Sequence, residues 1–71
     1  MPRPTLRFGS SGPEVSLLQS ALNQWVASRL PQLVPDGQFG PKTTSKVKEY
    51  QGFSKLVPDA IVGPNTWAML E

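Results

Sequence analysis

Pro35-Asp36-Gly37-Gln38-Phe39-Gly40-Pro41-Lys42-Thr43 returns twenty-three residues later as Pro58-Asp59-Ala60-Ile61-Val62-Gly63-Pro64-Asn65-Thr66, and the register continues from Val47 to Leu70. Each residue type has a local task. Aspartate accepts nearby backbone N–H bonds, glycine permits positive φ, and the Gly-Pro pair launches a helix. Thr43 and Thr66 fall in the first helical turn, where a hydroxyl can reach an otherwise unpaired backbone group. Two copies of a turn-plus-helix unit imply a pseudo-symmetric scaffold, with Phe39 and Val62 as equivalent plugs at the base of their helices.

A third Gly-Pro pair, Gly12-Pro13, opens an earlier segment. Proline suits the first helical position because its φ is already correct and its missing N–H would have had no partner there. From Pro13 the spacing of Val15, Leu18, Leu22, Trp25 and Val26 predicts one buried face and a helix over about 13–29. Ser11 and Glu14 fit a capping box at its start, and Leu30-Pro31 marks its stop. A second helix is expected over 41–52, with Val47 and Tyr50 inward and Lys42, Lys46 and Glu49 in water. A third, over 64–70, is too short to stand alone and must dock through Trp67 and Leu70. Leu30, Leu33 and Val34 should fold back onto the bundle, and Ala60-Ile61-Val62 could pair briefly with Gln38-Phe39. The expectation is an all-α fold, a small three-helix bundle with two pseudo-symmetric turn-helix repeats, in one domain over 6–71 after a flexible segment 1–5.

Composition narrows the chemistry. In 71 residues there is neither cysteine nor histidine, so disulfides, thiol nucleophiles, Cys/His zinc sites and the commonest general base are absent. No cofactor or metal is implied. A net charge of +2 is mildly basic and lacks the dense stripe of a nucleic-acid binder. Lys42, Lys46, Lys48 and Lys55 around the second helix are interrupted by Glu49, with no arginine or asparagine placed to read bases. No stretch reaches membrane-spanning length, and the opening residues lack the apolar run of a signal peptide. A chain this small has little core to spare for a deep cleft, so function is expected on the surface or in a shallow groove. Asp36 and Asp59 are the only acids in matched settings, yet glycoside cleavage would need a raised pKa on one of them and an enclosing cleft.

The elements Leu6-Arg7-x-Gly9-Ser10-x-Gly12-Pro13-Glu14-Val15, Leu18-Gln19, Asp36-Gly37-x-Phe39-Gly40, Tyr50-Gln51 and Pro58-Asp59-x-Ile61-Val62-Gly63-Pro64-x-Thr66-Trp67, in this order and spacing, resemble the peptidoglycan-binding domain of bacterial and phage cell-wall hydrolases. The resemblance runs from Leu6 to Leu70. It implies a three-helix, non-catalytic module that anchors a lytic or wall-modifying enzyme such as an amidase, a muramidase or an endolysin. It also implies a periplasmic or extracellular setting at the cell wall, peptidoglycan as partner through its glycan or its stem peptide, and a monomer. A related fold serves as the propeptide of matrix metalloproteases through a cysteine switch, which this cysteine-free chain cannot form. An alternative is a protein-interaction adaptor of the same fold that docks a parent enzyme or secretion machinery. Ala60 departs from the family, which usually has glycine there, so the second turn is either of another type or strained.

A peptidoglycan site wants hydrogen-bonding groups, an aromatic platform and a cation. Phe39 and Trp67 are expected in the core. The candidate ligand-binding residues are Asp36, Gln38, Thr43, Tyr50 and Asp59, which the pseudo-symmetry could gather beside one groove. Turn chemistry alone would explain Asp36, Asp59 and Thr43; Gln38 is the least explained by folding.

Overall fold

The computed structural model describes residues 3–70. It contains three helices, α1 (Pro13–Asn23), α2 (Pro41–Phe53) and α3 (Pro64–Leu70). Each starts at the proline of a Gly-Pro pair. The N-cap glycines of α1 and α2 make no side-chain cap bond. The glycine carbonyls instead take the first helical bonds, from Ser16 to Gly12, Thr44 to Gly40 and Trp67 to Gly63. The capping box expected at Ser11 and Glu14 does not form, because Ser11 is drawn into a bridge with Gln38 and Glu14 pairs with Arg3 at 3.4 Å.

The core lies between the helices. Val15, Leu18 and Leu22 of α1 meet Val47 and Tyr50 of α2, Trp67 of α3, and the plugs Phe39 and Val62. Burial of these side chains is the main favourable term, each contributing about 1.5–3 kcal/mol relative to exposure. Short α3 is held by Trp67, which is buried and donates its indole N–H to the Pro4 carbonyl at 2.9 Å. Arg3 lies over the same ring, 5.1 Å from its centroid. Of the segment 1–5 expected to be flexible, Met1 and Pro2 lie outside the described residues.

Helix α1 ends at Asn23, six residues before the expected stop. The Asn23 side chain is the reason: its Oδ1 accepts the Leu33 N–H at 2.6 Å and its Nδ2 donates to the Leu33 carbonyl at 2.7 Å. That clamp draws Leu33 into the core and turns the chain back early. Val26, expected on the buried face, is 97% exposed, and Leu30 and Val34 also remain at the surface.

Two residues of α2 expected in water instead hold this connection. Lys46 is 1% exposed, and its ammonium donates to the Pro31 carbonyl at 3.0 Å. Its stem packs beneath the loop as an apolar chain would. Glu49 accepts the Ser28 hydroxyl at 2.6 Å and the Arg29 N–H at 2.8 Å. Both bonds favour the ionised carboxylate, and they hold its pKa below the usual range despite an opposing desolvation.

Among the described residues, strand-like pairing is confined to two isolated antiparallel bridges, Leu6 with Val62 and Ser11 with Gln38. The expected pairing of the two turns with each other is not what forms. The N-terminal segment satisfies both, exchanging Leu6 and Val62 bonds at 3.1 and 2.8 Å, and joining Gly9 to Phe39 and Gly12 to Gly37 at 3.0 and 2.9 Å.

Candidate binding site

Two glutamines organise the two turns. Gln19 on α1 is 1% exposed; its Oε1 accepts the Gly37 N–H at 3.0 Å, and its Nε2 faces Asp36 Oδ1 at 3.2 Å, the Gln38 carbonyl at 2.9 Å and Thr43 Oγ1 at 3.1 Å. Gln51 on α2, also 1% exposed, repeats the set: its Oε1 accepts the Ala60 N–H at 3.0 Å, and its Nε2 faces Asp59 Oδ1 at 3.2 Å, the Ile61 carbonyl at 3.0 Å and Thr66 Oγ1 at 3.2 Å. An amide nitrogen has two hydrogens, so three acceptors share them. In each copy the preceding helix fastens the turn that starts the next one. Thr43 and Thr66 therefore serve a buried side chain rather than the backbone expected for them.

The aspartates close each turn. Asp36 Oδ1 accepts the Gln38 N–H at 2.9 Å and Asp59 Oδ1 accepts the Ile61 N–H at 2.9 Å. For Asp36, the Gln38 N–H and then the Gln19 amide hold the carboxyl below its usual pKa. Gly37 has φ +78° and Ala60 has φ +62°, so the second turn is the same turn built on a residue that enters the left-handed region at a cost. A Cβ on Gly37 would lie 3.1 Å from both the Gly12 carbonyl oxygen and Ser16 Oγ, whereas the Ala60 methyl is accommodated and buried.

Beside each turn the surface opens into a hollow. The first, about 440 Å³, is bounded by Val34, Asp36, Gln38, Pro41, Lys42 and Thr43 among others. The second, about 250 Å³, is bounded by Val57, Asp59, Ile61, Pro64, Asn65 and Thr66 among others. Eight residues of each lining correspond pairwise at the repeat offset, and the hollows have no residue in common. The turns thus present two separate depressions, not the single groove expected between them.

The family model described as "Putative peptidoglycan binding domain" matches residues 11–70. The chain belongs to this peptidoglycan-binding domain family. A zinc D-Ala-D-Ala carboxypeptidase of Streptomyces albus G is 41% identical over 63 residues, covering 89% of this chain and 24% of that protein. Among solved structures, a peptidoglycan-binding protein from Clostridioides difficile in complex with glutamine hydroxamate superposes with a TM-score of 0.84 at 34% identity, over 94% of this chain and 40% of that one. A Burkholderia AP3 phage endolysin superposes with a TM-score of 0.82 at 38% identity, over 96% of this chain and 25% of that one. The chain therefore spans well under half the length of these relatives.

Within this peptidoglycan-binding domain the five candidate residues are dispersed. Asp36, Gln38 and Thr43 border the first hollow, and Asp59 borders the second. Tyr50 borders neither. It is buried, stacks edge-on to Trp25 at 5.0 Å, and donates its hydroxyl to the Met69 carbonyl at 2.8 Å, fastening α3 to α2. Thr43 is 3% exposed, so its contribution to the hollow's wall is slight. Lys42, not among the candidates, also borders the first hollow. Among the described residues, no group of three or more His, Cys, Asp or Glu could hold a metal ion, and no helix is long and apolar enough to cross a membrane.

Proposed function

We propose that this chain is a non-catalytic module that binds bacterial cell-wall peptidoglycan and keeps an attached lytic or wall-modifying enzyme at its substrate, in the periplasm or outside the cell. The observation that carries this is the family match over 11–70, which spans both glutamine-fastened turns and the hollows beside them. The geometry supports holding rather than cutting. Asp36 and Asp59 border different hollows, and in each the Oδ1 is committed to bonds within its turn. A glycosidase needs two carboxyl groups flanking one bond, one of them with a raised pKa; the Asp36 pKa moves the other way.

Incubation with purified sacculi tests the reading. The domain is expected to sediment with the wall, release no soluble muropeptide, and run as a monomer in sedimentation velocity. Release of muropeptides would overturn the non-catalytic reading. An empty wall pellet together with capture of the parent enzyme would favour the adaptor alternative.

A further inference from the structure

The duplication supplies an internal comparison. The two hollows have the same frame, a buried glutamine, an aspartate and the first residues of a helix, but the first carries Gln38 and Lys42 where the second carries Ile61 and Asn65. The second copy folds its turn without either side chain. In the first copy Gln38 gives the turn only its backbone, its carbonyl to Gln19 and its N–H to Asp36. The Lys42 side chain enters no ion pair or hydrogen bond among the described residues. Both are exposed. Folding therefore explains neither of them, and both stand on the larger hollow.

Resting on the peptidoglycan-binding reading above, we propose that the first hollow is the ligand site and takes a zwitterionic amino-acid head, one ammonium and one carboxylate on the same carbon. Asp36 and Lys42 border the hollow as opposite charges that do not pair with each other, so a ligand bearing both signs can meet both. The Gln38 amide adds a donor and an acceptor, and Val34 and Pro41 supply apolar surface for the carbon chain. The Asp36 carboxyl is held ionised at neutral pH by the bonds of its own turn. In the wall, such a head is the free end of a stem-peptide diamino acid that keeps its own carboxylate. Acylation of that amine in a cross-link removes its charge, so the module favours stems that are not cross-linked.

The test is an amide chemical-shift titration with three probes: a stem tetrapeptide with meso-diaminopimelate at its third position, the same peptide with L-lysine there, and the peptide-free N-acetylglucosamine–N-acetylmuramic acid disaccharide. The diaminopimelate peptide is expected to shift residues 33–43 and to bind at least about threefold more tightly than the lysine peptide. The double variant Q38I/K42N, which gives the first hollow the side chains of the second, should weaken that binding by about three- to tenfold. The Ala60 amide position and an unchanged thermal melt report whether the fold is kept. Equal affinity for the two peptides, shifts confined to residues 56–66, or an unaffected variant would overturn the inference. Sedimentation with sacculi in the absence of any peptide preference would overturn it while leaving the wall-binding reading intact; loss of sacculus binding would remove that reading itself.

Discussion

Replacing Gln51 with glutamate changes one atom of a buried amide into the wrong kind of atom. The new carboxyl would keep an oxygen for the Ala60 N–H, but its second oxygen would stand where Nε2 now meets Asp59 Oδ1 at 3.2 Å, the Ile61 carbonyl at 3.0 Å and Thr66 Oγ1 at 3.2 Å. If that oxygen is ionised, two carboxylates face each other. At an effective dielectric near 20 their repulsion is about 5 kcal/mol, part of which the Thr66 hydroxyl offsets by turning to donate. If it is protonated, one O–H replaces two N–H donors, a loss of about 1 kcal/mol. Folding therefore raises the new carboxyl's pKa above its unfolded value. The variant is closest to wild type below that unfolded pKa, near pH 4, and loses stability as pH rises through the folded pKa. A domain of this length holds about 4–10 kcal/mol in total, so Q51E should lose a large share of its stability at pH 7 and regain most of it toward pH 4. The assay is urea unfolding by circular dichroism at both pH values, read at each pH as the difference from wild type. A difference that does not change with pH would rule out carboxylate repulsion at position 51.

Gly37→Ala should destabilise the domain by about 1–3 kcal/mol, because left-handed strain adds to a 3.1 Å contact with the Gly12 carbonyl. Ala60→Gly should stay within about 1 kcal/mol of wild type, since relief at φ +62° is offset by a lost buried methyl and a freer unfolded chain; thermal melts of the pair measure the asymmetry. Tyr50→Phe should cost about 1 kcal/mol by removing the bond to the Met69 carbonyl, with hydrogen exchange accelerated in α3 above all. Asp36 and Glu49 both have depressed folded pKa values, so their contribution is complete above their unfolded values, 3.8 and 4.5, and is lost as pH falls through the folded ones. Acid unfolding curves should accordingly flatten in the double variant D36N/E49Q.

The helix starts were legible because Gly-Pro acts locally: Pro13, Pro41 and Pro64 each open a helix whatever surrounds them. The repeat was legible because both copies spell the same turn. What escaped depends on contacts distant in sequence. The end of α1 is set by Asn23 reaching Leu33, and Leu30-Pro31 says nothing of that clamp. Lys46 looked solvated because a charge on a periodic helix face usually is, yet a loop fifteen residues upstream covers its stem and offers the Pro31 carbonyl. The glutamines left a faint signal, each directly following a core residue, Leu18 or Tyr50. Spacing alone does not pair Gln19 with a turn seventeen residues on and Gln51 with one eight residues on. The same limit applied to the site: Tyr50 looked suited to a ligand because its α3 partner, the Met69 carbonyl, carries no sequence signature.

A binding isotherm on purified sacculi, with the supernatant analysed for muropeptides, reaches the centre of the account. Wild-type protein should saturate the wall, the Q38I/K42N variant should need several-fold more protein to do so, and the supernatant should stay free of wall fragments. Binding that never saturates, an isotherm indifferent to the first hollow, or soluble fragments accumulating with time would contradict it.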